Sequence, residues 1–113
     1  MTSSPTGTDL SNTHAPCGGL VASPTSPKQW DAFRLTDDQA DFYHENGYVA
    51  GVRILDDEQI EALRGELSEF LKPDHAGCDL WHEYHANESS DPQTVLFHAL
   101  GAWRIAPGFH DLP

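Results

Sequence analysis

The densest group of residues able to bind a metal lies in a polar stretch of the second half of the chain. It consists of His75, Cys78, His82 and His85. Thiolate sulfur combined with imidazole nitrogen is a donor set suited to zinc. His82 and His85 are three residues apart, one fewer than in the His-Glu-x-x-His motif, although such residues can still share a helix face. A polar loop that contains several histidines by chance is the simpler interpretation, and we expect no metal site here.

Sequence signatures of other catalytic sites are missing. The chain has no nucleophile elbow, no phosphate-binding loop and no grouping of Ser, His and Asp that sequence alone supports. Cys17 and Cys78 are far apart and form no C-x-x-C pair, so neither a redox motif nor a disulfide scaffold is indicated. Trp81 and Trp103 are expected to pack in a core or a lid, because aromatic side chains contribute mainly through burial. We therefore expect no catalytic residue in this chain.

The net charge limits the kinds of partner that the chain can bind. With 18 Asp and Glu against 6 Lys and Arg, its 113 residues carry a formal charge of -12. Binding to nucleic acid depends on Lys and Arg, so neither nucleic acid nor an anionic membrane is expected as a partner. No apolar run approaches the ~20 residues of a membrane-spanning helix, and the start of the chain has no signal-peptide pattern. The sequence predicts a cytoplasmic protein with at most one small domain.

The first 33 residues differ in composition from the rest of the chain. They are rich in Ser, Thr, Gly and Pro and poor in large aliphatic side chains. Such a segment cannot bury enough apolar surface to offset the backbone entropy that is lost on folding. We expect residues 1–33 to be a disordered tail and residues 34–113 to form a folded part of the α+β class.

Two capping patterns predict helices in the folded part. Thr36 is followed three residues later by Gln39, which forms a capping box, and Asn46-Gly47 marks the end of this helix. A second pattern that starts at Asp56 precedes a longer helix, which Lys72-Pro73 closes. The buried face of the longer helix is predicted from apolar residues at three- and four-residue spacing: Ile60, Leu63, Leu67, Phe70 and Leu71.

The remaining elements are predicted from propensity and alternation. Residues 48–55 form a β-rich run and are expected to be the first strand. Residues 74–93 are polar and are expected to form a long loop. Residues 94–103 alternate in a way that fits a half-buried strand or a short helix, of which we prefer the strand. Pro107 suits the first turn of a further helix.

Several stretches together carry a resemblance to a known family. They are Leu35–Gln39, Phe42–Tyr48 and Leu55–Arg64, followed by Trp103-Arg104 and Phe109–Leu112. The first three resemble the opening of the phytanoyl-CoA dioxygenase (PhyH) family, in which one capped helix leads through a tight turn and a strand to a second capped helix. The last two are similar to the segment before the catalytic barrel of that family. Phe42–Tyr48 is the most specific part of the resemblance.

The resemblance implies an enzyme that hydroxylates a small organic substrate with Fe(II), O2 and 2-oxoglutarate. The expected fold is a double-stranded β-helix, a jelly roll of about eight strands. In that family a His-x-Asp pair and a distant His hold the iron, and an Arg binds the carboxylate of the cosubstrate. His98 lies where a polar side chain could reach 2-oxoglutarate, although a half-exposed histidine on an amphipathic strand is the simpler explanation.

The chain departs from the family at the iron site. None of its seven histidines is followed two residues later by Asp or Glu, since His110-Asp111 is adjacent and His44-Glu45-Asn46 has Asn at the required position. We therefore expect the N-terminal portion of a jelly-roll oxygenase with most of the barrel missing. It should be inactive alone and bind neither Fe(II) nor 2-oxoglutarate, and no cofactor-binding residue is assigned. The alternative is a small acidic interaction or zinc-binding module that uses His75, Cys78, His82 and His85.

Overall fold

A computed structural model describes residues 7–112 of the chain. The elements found there are α1 (Pro27–Asp31), α2 (Asp37–Asn46), α3 (Asp57–Phe70), a first 3-10 helix (Cys78–Leu80), β1 (Glu83–His85), β2 (His98–Leu100), a second 3-10 helix (Ala102–Arg104) and α4 (Pro107–Asp111). This composition belongs to the α+β class, and the jelly-roll parent fold stays a prediction. Within the described range, residues 7–21 and 58–112 form one compact unit, the first unit, and residues 22–57 form the second unit. None of the described helices is both long and apolar enough to cross a bilayer.

The helix predicted from the capping box is confirmed as α2. The Thr36 hydroxyl accepts a hydrogen bond from the Gln39 N–H at 3.2 Å, and the Gln39 side chain accepts one from the Thr36 N–H at 2.9 Å. The helix ends at Gly47, whose φ of 79° lies in the left-handed region that glycine enters without steric cost. Just beyond this turn, the Tyr48 ring meets the Phe42 ring edge to face, with 5.4 Å between the ring centroids.

The strand predicted over residues 48–55 is wrong. In the described part of the chain the one strand pairing joins β1 to β2, and residues 48–55 belong to no sheet. Propensity for β structure takes effect only when a neighbouring strand accepts the backbone hydrogen bonds. Gly51 also interrupts the extended backbone with a φ of 77°, and Arg53 folds over the segment by donating to the Leu55 carbonyl and the Asp57 carboxylate.

The longer predicted helix is confirmed as α3, but its apolar face is only partly covered. Phe70 is buried, and Ile60 and Leu63 are half-buried. Leu67 and Leu71, which the same periodicity assigned to the buried face, are 40% and 46% exposed. Periodicity identifies the apolar side of a helix, whereas burial depends on how much of the chain packs against that side.

An aromatic cluster is the core of the first unit. Its side chains are Phe70, His75, Trp81, Tyr84, Phe97 and Phe109. Trp81 meets Phe70 edge to face at 4.9 Å between centroids, and the Tyr84 hydroxyl donates to the Phe70 carbonyl at 2.5 Å. Phe109, from α4, lies 5.7 Å from Phe70. This cluster joins the end of α3 to the two strands and to α4.

The polar stretch predicted as a loop over residues 74–93 contains the first 3-10 helix and β1. β1 pairs antiparallel with β2, so that Tyr84 lies opposite Ala99 and His85 lies opposite His98. The strand predicted over residues 94–103 is confirmed only as the short β2, and residues 102–104 form a 3-10 helix instead. The predicted alternation holds at its centre, where Phe97 and Ala99 are half-buried and His98 is exposed. The helix predicted at Pro107 is confirmed as α4.

Residues 7–21 contact the rest of the first unit through polar groups. The Leu10 N–H donates to the Arg104 carbonyl at 2.8 Å, and the Arg104 guanidinium donates to the Asp9 carboxylate at 2.9 Å. The Gln59 amide donates to the Leu20 carbonyl at 2.8 Å. The disordered tail over residues 1–33 stays a prediction, and residues 1–6 lie outside the described range. That prediction counted apolar side chains, whereas residues 7–21 also form hydrogen bonds to backbone and charged groups of the unit.

Candidate functional site

The four residues of the alternative zinc-binding cluster, His75, Cys78, His82 and His85, are not assembled in the structure. His75 is buried in the aromatic cluster, and both of its ring nitrogens have partners. Its Nε2 accepts a hydrogen bond from the Trp81 indole N–H at 2.8 Å, and its Nδ1–H donates to the Ala76 carbonyl at 2.8 Å. This tautomer leaves no lone pair for a metal. His75 is therefore a satisfied core histidine.

The other three residues of that cluster lie in different surroundings. Cys78 is half-buried on the first 3-10 helix. His82 is exposed, and its Nε2 lies 3.4 Å from the Arg104 guanidinium. His85 is on β1 and points to the face opposite Tyr84, because successive side chains of a strand alternate. Within residues 7–112 these four residues do not form a group able to hold one ion.

Two other groups of metal-ligating side chains do come together in the described part of the chain. The hairpin cluster comprises Glu83 and His85 on β1 with His98 on β2, and the tail cluster comprises Cys17, His110 and Asp111. Both clusters lie within the first unit. The potential ligand atoms of each cluster all lie within 4.8 Å of one another. His44, considered for the iron motif, is exposed on α2 and belongs to neither cluster.

Strand register builds the hairpin cluster. His85 lies directly across from His98, and their rings stack with 5.6 Å between centroids and 22° between planes. Each ring is also held by a carboxylate, since His85 Nε2 is 2.8 Å from Glu83 Oε1 and His98 Nδ1 is 2.5 Å from Glu88 Oε1. The hydrogen bond with His85 lowers the pKa of Glu83, so this carboxyl is ionised at neutral pH. All four side chains are about half exposed.

The tail cluster joins the N-terminal segment to α4. The Asp111 carboxylate, whose side chain is fully buried, accepts hydrogen bonds from the backbone N–H groups of Cys17 and Gly18 at 2.9 and 2.7 Å. It also accepts one from His110 Nδ1 at 2.7 Å, and His110 Nε2 donates to the Thr13 carbonyl at 2.7 Å. The Cys17 thiol lies 3.4 Å from His110 Nδ1. The cluster thus holds the N-terminal segment on α4 through hydrogen bonds that engage nearly all of its polar atoms.

Electrostatics in the tail cluster favour a charged His110–Asp111 pair over a reactive thiol. The hydrogen bond to Asp111 raises the pKa of His110, and the hydrogen bond from His110 lowers the pKa of Asp111 from 3.8 to about 2. Burial and the Asp111 charge raise the pKa of the Cys17 thiol. A catalytic cysteine needs the opposite shift, because the thiolate is the nucleophile. The positions of Cys17 and His110 resemble those of a catalytic Cys-His dyad. The pKa shifts instead indicate that the cluster attaches the N-terminal segment to α4.

The attachment of the N-terminal segment should therefore depend on pH. A raised pKa of His110 in the folded state means that its stabilising contribution is complete below the ordinary value of 6.5 and is lost as the pH rises through the folded value. The lowered pKa of Asp111 means that its contribution is complete above 3.8 and is lost as the pH falls towards 2. We expect the Cys17 and Gly18 amide resonances to titrate with a midpoint above 6.5, and to lose this transition in His110→Gln. A midpoint below 6.5 would contradict the pairing.

A second carboxylate of the first unit caps α4. The buried Gly108 N–H, in the first turn of this helix, donates to the Glu66 carboxylate at 2.5 Å. Burial is the main cause that raises the pKa of Glu66, although the hydrogen bond from Gly108 acts in the opposite direction. A carboxylate from α3 at the start of α4 satisfies a backbone donor that has no partner within the helix. This contact is structural and fixes α4 on α3.

Sequence reasoning did not predict two members of these clusters, Cys17 and Glu83, or the Glu88 carboxylate that contacts His98. Cys17 lies in the segment predicted to be disordered, and no role was predicted for Glu83 or Glu88. One signal was available: in a hairpin, Glu83 and His85 occupy one strand face because they are two residues apart. Which residue lies opposite them depends on the register, and periodicity does not give the register.

Comparison with known proteins gives no relative for this chain. No protein-family model, no curated protein and no solved structure matches it.

Proposed function

We propose that this chain is the N-terminal portion of an oxygenase that resembles the PhyH family and hydroxylates a small organic substrate with Fe(II), O2 and 2-oxoglutarate in the cytoplasm. Within that parent, α2 and α3 pack outside the catalytic barrel and support its sheet. Residues 74–93 contribute to the substrate entrance. The role of this chain is structural, and the catalytic groups belong to the rest of the parent protein.

Local structure at the residues that carry the resemblance supports the proposal. The capped helix α2 ends in a left-handed turn at Gly47, and the second helix α3 follows eleven residues after α2 ends. Trp103-Arg104 and Phe109 lie in the second 3-10 helix and in α4. One feature differs: the strand that the resemblance implies between the two helices is not paired here. A strand at that position would require a partner from the barrel.

Exposed apolar side chains are the observation that carries the proposal. In the described part of the chain only Phe70 and Ala106 are buried apolar residues. Large apolar side chains exposed in the second unit are Trp30, Phe33, Leu35, Phe42, Tyr43, Tyr48, Val52 and Ile54, and those exposed in the first unit are Leu67, Leu71, Val95, Leu96, Leu100, Trp103 and Leu112. Scattered exposed apolar residues are ordinary, but so many of them beside so few buried ones support the proposal that further polypeptide covers these surfaces.

The described residues do not fit the iron centre of the parent. The hairpin cluster has the correct donor types, two imidazoles and one carboxylate. Its carboxylate, however, precedes the first histidine as Glu83-x-His85, whereas the centre of that family requires a His-x-Asp or His-x-Glu pair. Arg104, on the second 3-10 helix, already donates to the Leu80 carbonyl and the Asp9 carboxylate. Iron chemistry is therefore assigned to residues outside this chain.

The proposal is tested by identifying the native polypeptide. An antibody against the α3 sequence would isolate the protein from its source cells, and mass spectrometry would define its full length. We expect peptides that extend beyond Pro113 and contain a His-x-Asp or His-x-Glu pair, with a later His and Arg. A native polypeptide of 113 residues that unfolds in one sharp thermal transition would contradict the proposal and favour the small acidic module.

A further inference from the structure

We propose that the hairpin cluster is a zinc-binding site in which His85, His98 and Glu83 bind the ion and Glu88 orients His98. The site differs from the alternative zinc-binding cluster of the sequence analysis, of which it retains only His85. It is also independent of the proposed oxygenase function, because its ligands lie on one hairpin of the first unit and require no barrel.

The register brings the two imidazoles together without any change of backbone. His85 and His98 are directly opposite residues of an antiparallel pair, and their rings already stack at 5.6 Å between centroids. Opposite residues of such a pair have Cβ atoms about 5 Å apart, so both side chains can reach one ion between them. Glu83 is two residues before His85 and therefore lies on the same face of β1. Three ligands thus converge from two strands.

The hydrogen bonds of the cluster are those expected around a metal ligand. His98 Nδ1 meets Glu88 Oε1 at 2.5 Å, which leaves His98 Nε2 as the free nitrogen. A carboxylate on one ring nitrogen fixes the tautomer and makes the other nitrogen a better ligand. His85 Nε2 and Glu83 Oε1 are 2.8 Å apart and share a hydrogen. A zinc ion could take the place of this shared hydrogen. It would bind both atoms once they separate to about 3.3 Å, which is the spacing of two ligand atoms around tetrahedral zinc with bonds of about 2.0–2.1 Å.

Donor type and charge select the ion. Two imidazoles and a carboxylate suit zinc, copper and nickel, whereas magnesium and calcium prefer oxygen ligands alone. Ferrous ion binds such a set more weakly than zinc does. The two carboxylates of Glu83 and Glu88, in a chain with a net charge of -12, attract a divalent cation. Partial exposure leaves a coordination position for water, as in a three-ligand zinc site.

Zinc binding should stabilise the folded hairpin. β1 and β2 each contain only three residues, and a hairpin of this size is marginal by itself. A metal that binds only the folded hairpin shifts the equilibrium towards it. Acid should release the ion, because protonated imidazole cannot bind a metal.

Zinc titration of the untagged full chain tests the proposal, with competition against a chromogenic chelator as the readout. We expect one zinc per chain, perturbation of the His85 and His98 imidazole resonances, and at least about 10-fold weaker binding in His85→Ala and in His98→Ala. Glu88→Gln is expected to weaken binding about 10-fold, as outer-sphere substitutions do. His44→Ala, which removes an exposed histidine of α2, is the matched control and should leave the affinity unchanged.

Two variants keep the test decisive. Cys17→Ala should also leave zinc affinity unchanged, since the tail cluster is the other group of ligands in the described residues. His98→Gln preserves side-chain size and polarity, so that loss of binding with an unchanged circular dichroism spectrum reports the ligand and not the fold. Unchanged zinc affinity in the His85→Ala/His98→Ala double variant, or loss of binding in Cys17→Ala, would overturn the proposal.

Discussion

Replacing Phe70 with alanine is expected to unfold the first unit. Phe70 is 3% exposed and contacts His75, Trp81 and Phe109 through its ring. Truncation of a buried Phe costs about 3–5 kcal/mol, because apolar contacts are lost and a cavity remains. The core of so small a domain rarely supplies more than about 3–5 kcal/mol, so little stability would be left.

The Trp81 indole resonance gives the readout for Phe70→Ala. In the native protein its N–H donates to His75 Nε2, which should slow hydrogen exchange and give this proton a distinct shift. We expect this protected signal to disappear in Phe70→Ala. Leu67→Ala is the matched control on the same helix, and it should retain the signal because Leu67 is 40% exposed. A protected Trp81 signal in Phe70→Ala would show that the aromatic cluster is not the core.

The second large effect is expected at Gly77. This buried glycine has a φ of 82°, and an added Cβ would lie 2.8 Å from the Ile105 side chain. The left-handed conformation costs a residue with a Cβ about 1–2 kcal/mol, and the forced contact adds about 1–3 kcal/mol of overpacking. Gly77→Val should therefore destabilise the first unit by at least about 2 kcal/mol, the lower end of these ranges.

Hydrogen exchange over residues 75–85 and 100–110 measures the effect of Gly77→Val. A loss of about 2 kcal/mol corresponds to roughly 30-fold faster exchange of amides that open with the unit. Gly19→Val is the matched control, because nothing lies within 4 Å of a Cβ added at Gly19 and its φ is not in the left-handed region. Equal exchange rates in the two variants would mean that the packing of Ile105 on Gly77 does not contribute to stability.

Local signals in the sequence were sufficient for α2, α3 and α4, whereas no helix was predicted at α1, which lies in the segment expected to be disordered. The capping box at Thr36 and the glycine at residue 47 act within a few residues, so the bounds of α2 could be predicted from neighbouring residues alone. The same holds for α3 and for Pro107 at the start of α4. Burial was less predictable, since Leu67 and Phe70 share one periodic face but only Phe70 meets the aromatic cluster.

Features that depend on distant partners could not be predicted. The β-rich run 48–55 has no partner strand in the described part of the chain, while residues 83–85 do pair, and Tyr84 among them packs in the aromatic cluster. The tail cluster joins Cys17 to His110, 93 residues away. The hairpin cluster requires the register of β1 against β2. Patterns within a single sequence show neither which distant residues come into contact nor the register of two strands.

Turnover of 2-oxoglutarate tests the central claim most directly. The native polypeptide isolated through its α3 sequence and the 113-residue chain would each be assayed for succinate formation with Fe(II), 2-oxoglutarate and O2. We predict iron-dependent succinate from the longer native polypeptide and none from the 113-residue chain. Succinate formation by the 113-residue chain, or none by a longer native polypeptide supplied with Fe(II), would contradict the claim that this chain is the supporting N-terminal portion of an oxygenase.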